Sequence, residues 1–159
     1  MGQGMRYIRQ VTSVLMFAIA AFISCDSIDC TLYNTVSLHC SFYSEGKAAK
    51  LMDTLTVSAL GTDSILVNSL VGASSLELPL SYMQEQDTLV LHIYGMDYDL
   101  RDTMWVEKTN TTHFESPDCP TAMFHQITSV RHTHNIIDSI SITRSLVDYD
   151  QTENIQIHL

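Results

Sequence analysis

The sequence predicts an all-β fold, a β-sandwich that is immunoglobulin-like in the loose architectural sense. Apolar residues alternate with polar ones in eight or nine short runs, the pattern of strands with one buried face. Turn residues separate the runs, and no long segment carries the 3.6-residue apolar stripe of a helix. With 159 residues, 45% of them hydrophobic, the chain is long enough for one domain with its own core.

The strands follow from the alternation, element by element. Pro79 lacks the N–H that a central strand position needs, so its strand is expected to lie at a sheet edge or to end there. Trp105, the only tryptophan, is interpreted as a core or edge packing residue. The inward positions are, in order, Val36, Leu38, Cys40 and Phe42; Leu55, Val57 and Ala59; Ile65 and Val67; Leu76, Leu78 and Leu80; Leu89, Leu91 and Ile93; Met104 and Val106; Ile140 and Ile142; Ile155, Ile157 and Leu159.

The N-terminal segment has the proportions of a signal peptide. Two arginines precede an apolar run, Val11–Ile23, that is shorter than the roughly 20 residues needed to span a bilayer. The run closes on Ser24-Cys25, which resembles the bacterial lipobox and implies cleavage before Cys25 and a diacylglycerol thioether on its sulfur. Ordinary secretion with an incidental cysteine is the alternative. We therefore expect a signal peptide over 1–24, a lipidated tether over 25–29 and one domain over 30–159.

The remaining cysteines predict one disulfide. An exported chain meets an oxidising compartment, in which a bridge can form. Cys40 falls on the inward face of a strand and is interpreted as a small buried hydrophobe. Cys30 and Cys119 lie at element ends, and we expect them to pair. The pattern of four closely spaced ligands that a structural zinc site requires does not occur.

Histidines suggest a weaker alternative, a metal site. His132 and His134 are two residues apart, so on a strand they would share a face. His113 and His125 could supply a third ligand only through folding, and tight zinc sites need three or four. Side chains that make ordinary hydrogen bonds explain the same pattern, and we expect no bound cofactor.

An acidic run surrounds Asp97, Asp99 and Asp102. Oxygen-rich loops can bind calcium, but the EF-hand pattern is absent and Arg101 lies inside the run. The run is therefore interpreted as a solvated hairpin loop.

A triplet of Asp, then Ser or Thr, then an apolar residue occurs six times. It resembles the O-glycosylation signal of Bacteroidetes envelope proteins. A structural explanation is equally open, because Asp favours turns and Ser or Thr before an apolar residue can begin a strand. The hydroxyl residues of the triplets are Ser27, Thr54, Ser64, Thr88, Thr103 and Ser139; the last five lie in the expected domain and are the predicted glycosylation sites.

Composition and motifs exclude several functions. Removing the two arginines of the signal peptide leaves 18 acidic residues against 6 basic ones, a net charge of −12. Such a domain repels phosphate backbones and anionic membranes, which argues against nucleic-acid binding. The sequence has neither the G-x-S-x-G nucleophile motif nor a phosphate-binding glycine loop, so we expect a protein that is not an enzyme.

The stretch from Lys108 to Pro120, with His132-Thr133-His134-Asn135 after it, resembles uncharacterised small lipoproteins of Bacteroidetes gut bacteria. The resemblance implies lipoprotein processing and a β-sandwich, and it carries over no functional residues. The expected function is thus a lipid-anchored, non-catalytic cell-envelope module, in the outer membrane, that binds an unknown protein or glycan partner or supports an assembly. A metal-binding envelope protein that uses the histidine-rich segment is the alternative.

Overall fold

The computed structural model describes residues 36–62 and 64–159, and every regular element in these ranges is a β-strand. No helix in this part of the chain is long and apolar enough to cross a bilayer. The predicted signal peptide and tether, with Cys25, Ser27 and Cys30, lie outside the described residues. The strands are β1 Ser37–Ser44, β2 Lys47–Ala48, β3 Leu51–Ala59, β4 Ser64–Ala73, β5 Ser75–Pro79, β6 Gln86–Tyr94, β7 Asp99–His113, β8 Ala122–His132, β9 Ser139–Ile142, β10 Leu146–Val147 and β11 Ile155–His158.

The strands form two sheets that pack face to face, which confirms the predicted sandwich. The larger sheet has the order β10-β8-β7-β6-β3-β4, and all its pairings are antiparallel. The smaller sheet runs β2-β1-β11-β9, with β5 also paired to β1. Because β5 and β11 overlap along Cys40 and Ser41, they flank β1 on opposite edges. The parallel pairing of β1 with β11 places the last strand beside the first described one.

The core forms where the inward faces of both sheets meet, as the alternation predicts. The smaller sheet contributes Leu38, Phe42, Ile155 and Ile157, and the larger sheet contributes Leu55, Val57, Leu89, Leu91, Met104 and Val106, all buried. Burying such side chains stabilises the fold by roughly 1.5–3 kcal/mol each.

One strand changes sheets at Ser74. β4 belongs to the larger sheet and ends at Ala73, whereas β5 begins at Ser75 in the smaller one. The Ser74 carbonyl accepts a hydrogen bond from the Phe42 N–H at 3.0 Å, which fixes the crossing. Pro79 is the last residue of β5, so the prediction that this strand ends at the proline is confirmed.

One prediction for the larger sheet was wrong and another was right only in part. Trp105 is half-buried and lies on the outer face of the sheet, because its neighbours Met104 and Val106 point into the core. Asp97 lies in the exposed hairpin loop between β6 and β7, as predicted, but β7 already begins at Asp99 and Asp102 is fully buried.

Asp102 holds the segment that crosses from β8 to β9. Its carboxylate accepts hydrogen bonds from the Thr133 hydroxyl, from the Asn135 N–H at 2.9 Å, and from the N–H groups of Ile136 and Ile137 at 2.7 and 2.8 Å. Burial alone would raise the pKa of this carboxyl, but the four donors together outweigh burial and lower it. The crossover is therefore fixed by one buried charge.

Candidate functional site

A groove of about 440 Å³ opens at the end of the sandwich where β1 begins. Val36 and Ser37 form one wall, and Leu80 and Tyr82, just after β5, form the floor. The opposite wall comes from the facing ends of β7 and β8. The surface is mainly apolar, and His125 is its principal polar side chain.

His125 is held in one orientation at the wall of this groove. It is 2% exposed, and its Nδ1 lies 2.7 Å from the Asn110 Oδ1. The Asn110 amide nitrogen donates to the carbonyls of Tyr82 and Gln84 at 3.2 and 2.9 Å, which fixes the amide with its oxygen toward His125. Nδ1 therefore carries the ring proton, and Nε2 is the acceptor nitrogen of the ring.

A buried lysine lies behind the histidine. The Lys108 side chain has no solvent exposure, and its ammonium contacts the Asp87 carboxylate at 3.1 Å. It also donates to the carbonyls of Ser81, at 2.6 Å, and Gln84, so that its three protons are used. Burial, and secondly the Lys108 charge, lower the pKa of His125 to about 4, so this ring is neutral at physiological pH.

A second polar patch lies on the outer face of the larger sheet, centred on Trp105. The Arg131 guanidinium lies 5.6 Å from the centre of the indole ring, a cation–π distance. Glu107 holds that guanidinium at 3.1 Å and accepts a bond from the Ser129 hydroxyl at 2.7 Å. Thr88 is the cross-strand neighbour of Trp105 on the other side. Trp105, Glu107, Ser129 and Arg131 are called the Trp105 patch below.

The histidine pair of the metal hypothesis comes together at the end of β8. The rings of His132 and His134 are 4.3 Å apart, with their planes at 66°. His132 Nδ1 lies 2.8 Å from the Thr133 carbonyl, so this nitrogen carries the proton. His125 lies in the groove, and His113 stacks on Phe124 at 4.2 Å instead. Within the described ranges, no three side chains of metal-ligating type converge.

A model of a protein family whose function is unknown, DUF6452, matches residues 54–159, two thirds of the chain. The chain belongs to DUF6452. No curated protein and no solved structure matches it. The DUF6452 region begins inside β3 and contains the Trp105 patch, the histidine pair and His125, whereas Val36 on the other wall of the groove precedes it.

All five predicted glycosylation sites in the domain fall in the DUF6452 region, but their settings differ. Ser64 and Ser139 are exposed and begin β4 and β9. Thr54, Thr88 and Thr103 are half-buried and lie inside strands.

In two triplets the aspartate has a structural role, because Asp87 pairs with Lys108 and Asp102 holds the crossover. The structural explanation therefore accounts for part of the repeated pattern, and modification stays a prediction.

Two cysteines lie in the described chain. Cys40 is a free thiol that is buried in β1, as predicted, and burial together with the Glu153 charge raises its pKa. Cys119 lies in the β7–β8 hairpin loop, and no disulfide joins it to Cys40. The Cys30–Cys119 pairing stays a prediction, because Cys30 precedes the described residues.

Proposed function

We propose that this DUF6452 protein is a lipid-anchored, non-catalytic module of the bacterial cell envelope that binds a protein or glycan partner. The anchoring half of the proposal rests on the apolar run that closes on Ser24-Cys25. Ten residues lie between Cys25 and Val36, where the described domain begins, and fully extended they let the two ends lie at most about 40 Å apart. Such a tether would hold the sandwich close to the membrane surface.

The binding half of the proposal is carried by the Trp105 patch. Tryptophan and arginine are the residues most often found at the energetic centres of interfaces. Here Arg131 lies over the indole ring and its guanidinium is paired with Glu107, which restricts the arginine side chain before a partner binds. The part of the indole that stays exposed suits an apolar partner surface, and the Arg131–Glu107 pair suits polar groups around it.

Capture of partners from native membranes tests this function. The full lipoprotein and its Trp105→Ala variant are cross-linked in the membranes of the host and purified. Tyr43→Ala is the matched control, because Tyr43 is also half-buried but lies in the smaller sheet. We expect a partner that is captured about tenfold less by Trp105→Ala and equally by Tyr43→Ala. Equal capture by all three proteins would overturn the proposal.

Metal binding is the second candidate, and the 4.3 Å approach of the His132 and His134 rings favours it. Two nitrogen ligands hold zinc or copper weakly, and the nearby Arg131 opposes a cation. We therefore expect purified protein to contain no stoichiometric metal by elemental analysis. A tightly bound metal that is lost in His132→Ala or His134→Ala would replace the binding proposal with this one.

A further inference from the structure

Three loops and the start of β1 meet at one end of the sandwich. The groove brings Val36 together with Tyr82 of the β5–β6 loop and with Ala122, where β8 begins after the β7–β8 hairpin loop. Tyr82 also lines a second cavity, of about 250 Å³, together with Leu60 of the β3–β4 hairpin. The start of β1, the β3–β4 hairpin, the β5–β6 loop and the β7–β8 hairpin are called the Val36 end below.

Each loop of the Val36 end exposes a large uncharged side chain to solvent. These side chains are 65% to 79% exposed, and they are Leu60 in the β3–β4 hairpin, Tyr82 and Met83 in the β5–β6 loop, and Phe114 in the β7–β8 hairpin. A single exposed apolar side chain is ordinary, but several on neighbouring loops form an apolar surface that water solvates poorly. Such a surface indicates a place of contact.

The β5–β6 loop is held in one conformation by buried polar groups. The Lys108 ammonium binds two of its carbonyls, and the Asp87 carboxylate accepts a hydrogen bond from the Ser81 N–H at 3.1 Å. The Ser81 hydroxyl in turn accepts a hydrogen bond from the Met83 N–H at 3.2 Å. The backbone that carries Tyr82 and Met83 is therefore ordered before a partner binds, which lowers the entropic cost of contact.

The chain enters the domain at the Val36 end, and this favours a lipid surface as the partner. Ten residues lie between the predicted lipidation site at Cys25 and Val36, so an anchored domain keeps its Val36 end within about 40 Å of the bilayer. Confinement so close to a surface gives weak contacts a high effective concentration. The β6–β7 hairpin, which carries Met96, lies at the opposite end, because β6 begins beside Leu60 and leads away from it.

The exposed side chains of the Val36 end suit the boundary between water and hydrocarbon. Tyrosine combines an apolar ring with a polar hydroxyl and is enriched at this boundary, and leucine, methionine and phenylalanine side chains gain by leaving water. Without the signal peptide the chain has 18 acidic residues against 6 basic ones, and this net charge of −12 opposes an anionic surface. A bilayer of zwitterionic lipids therefore fits the Val36 end better than an anionic one.

We propose that the Val36 end is a membrane-contact surface, whose exposed apolar side chains enter the headgroup region of a zwitterionic bilayer. The proposal rests on the proposed lipid anchor, which brings this end of the domain to the membrane. Contact at this end stands the strands upright on the bilayer. The Trp105 patch, on the outer face of the larger sheet, then stays open to a partner.

Two matched tryptophan reporters test the contact. Met83→Trp and Met96→Trp change exposed methionines at opposite ends, and each is made in the full lipoprotein with Trp105→Phe, so that the new indole is the only one. The proteins are inserted into phosphatidylcholine vesicles with brominated acyl chains, which quench a tryptophan that enters the bilayer. Relative to unbrominated vesicles, the Met83→Trp fluorescence should fall at least about twofold, and the Met96→Trp fluorescence should not change.

Flotation of the vesicles separates this contact from the anchor on which it rests. Protein that does not float with the vesicles would refute the lipid anchor and the contact together. Protein that floats but shows equal quenching at the two positions, or none at either, would overturn the contact alone. An indole in Met83→Trp that is shielded from acrylamide but not quenched by bromine would assign the Val36 end to a protein partner instead.

The apolar side chains are tested by removing two of them around the same reporter. Tyr82→Ser with Phe114→Ser should reduce the quenching of Met83→Trp by about half or more, because these exposed side chains supply much of the area that leaves water. Met52→Ser with Val71→Ser changes two side chains of similar exposure toward the opposite end and should leave the quenching as it was. Equal quenching in the two double variants would contradict the proposal.

Discussion

Two of the buried polar residues, Lys108 and Asp102, hold irregular segments of the chain. Lys108 and Asn110 bind the carbonyls of the loop between β5 and β6, and Asp102 binds the N–H groups of the segment between β8 and β9. An irregular segment leaves backbone groups unpaired, and each such group costs about 1–3 kcal/mol if it is buried without a partner. These side chains supply hydrogen-bond partners for loop backbone groups that have none within the sheets.

His125 makes stability depend on pH between about 4 and 6.5. Its pKa is lowered to about 4 in the folded protein, against about 6.5 in an unfolded chain, so the unfolded state binds the proton more readily. The free energy of unfolding should therefore fall by on the order of 3 kcal/mol as the pH drops from 6.5 to 4. Urea denaturation at several pH values measures it.

His125→Asn is the control for this titration. The asparagine can keep the bond to Asn110 but does not titrate, so the slope in this window should largely disappear. An unchanged slope in the variant would assign the pH dependence to other groups.

Asp102→Asn should destabilise the domain by about 3 kcal/mol. The neutral amide oxygen accepts weaker hydrogen bonds than the carboxylate does, and the amide N–H groups would face backbone N–H donors in place of an acceptor. Because the folded pKa of Asp102 is lowered, this stabilisation is present above the unfolded pKa of about 3.9 and is lost as the pH falls through the folded value. Asp97→Asn, in the exposed β6–β7 loop, should cost less than about 0.5 kcal/mol. Similar losses in the two variants would contradict the role assigned to Asp102.

Among the elements, those with strict alternation could be predicted and those with a local irregularity could not. In β1, β5 and β6 every second residue is buried, and these buried residues are the ones predicted to point inward. The inward face of β8 was not predicted, because a bulge opposite Glu107 and Lys108 shifts the alternation and because one inward position holds the polar His125. The outward direction of Trp105 was available in the sequence, since Met104 and Val106 had already been placed inward.

The groove could not be predicted from sequence. Its walls come from β1, the end of β5 and the β7–β8 hairpin, which are far apart along the chain and meet only through sheet order. Alternation gives the face of each strand but not its neighbours. The bonds from Asn110 to His125 and from Lys108 to Asp87 depend on that same order.

Strand ends are where glycosylation should be found. Ser64 and Ser139 are exposed first residues of strands, so an enzyme can reach their hydroxyls more easily than those of the half-buried threonines. Intact mass of protein from its native host should exceed the polypeptide mass by hexose-scale increments, and Ser64→Ala with Ser139→Ala should reduce them. Ser141→Ala, exposed but outside any triplet, should not. An unmodified mass would end the hypothesis.

The hairpin loop between β7 and β8 should be linked to the segment before β1. Non-reducing peptide mapping of exported protein should find Cys30 joined to Cys119 and Cys40 as a free thiol. Burial raises the pKa of Cys40, so it should resist alkylation until the protein unfolds. Closure of so long a loop stabilises a protein by roughly 2–4 kcal/mol. A Cys30–Cys40 link would refute the pairing.

At the scale of the whole molecule, the chain is an acidic β-sandwich, and we propose that a short tether holds it near a membrane. The fold class followed from alternation and composition, and membership in DUF6452 agrees with a resemblance to uncharacterised proteins. The identity of the partner could not be predicted from the sequence, because recognition depends on which side chains share a surface. The proposed location depends on the lipid anchor, and the lipid anchor is inferred from the sequence up to Cys25.

Metabolic labelling with palmitate, followed by membrane fractionation, tests that claim most directly. The native chain should incorporate label, stay with the membranes and yield an N-terminal peptide with a diacylglycerol thioether on Cys25. Cys25→Ala should lose both label and membrane retention, whereas Cys30→Ala should keep both, because only the thiol after the signal peptide is modified. A Cys25→Ala protein that remains labelled and membrane-bound would contradict the account.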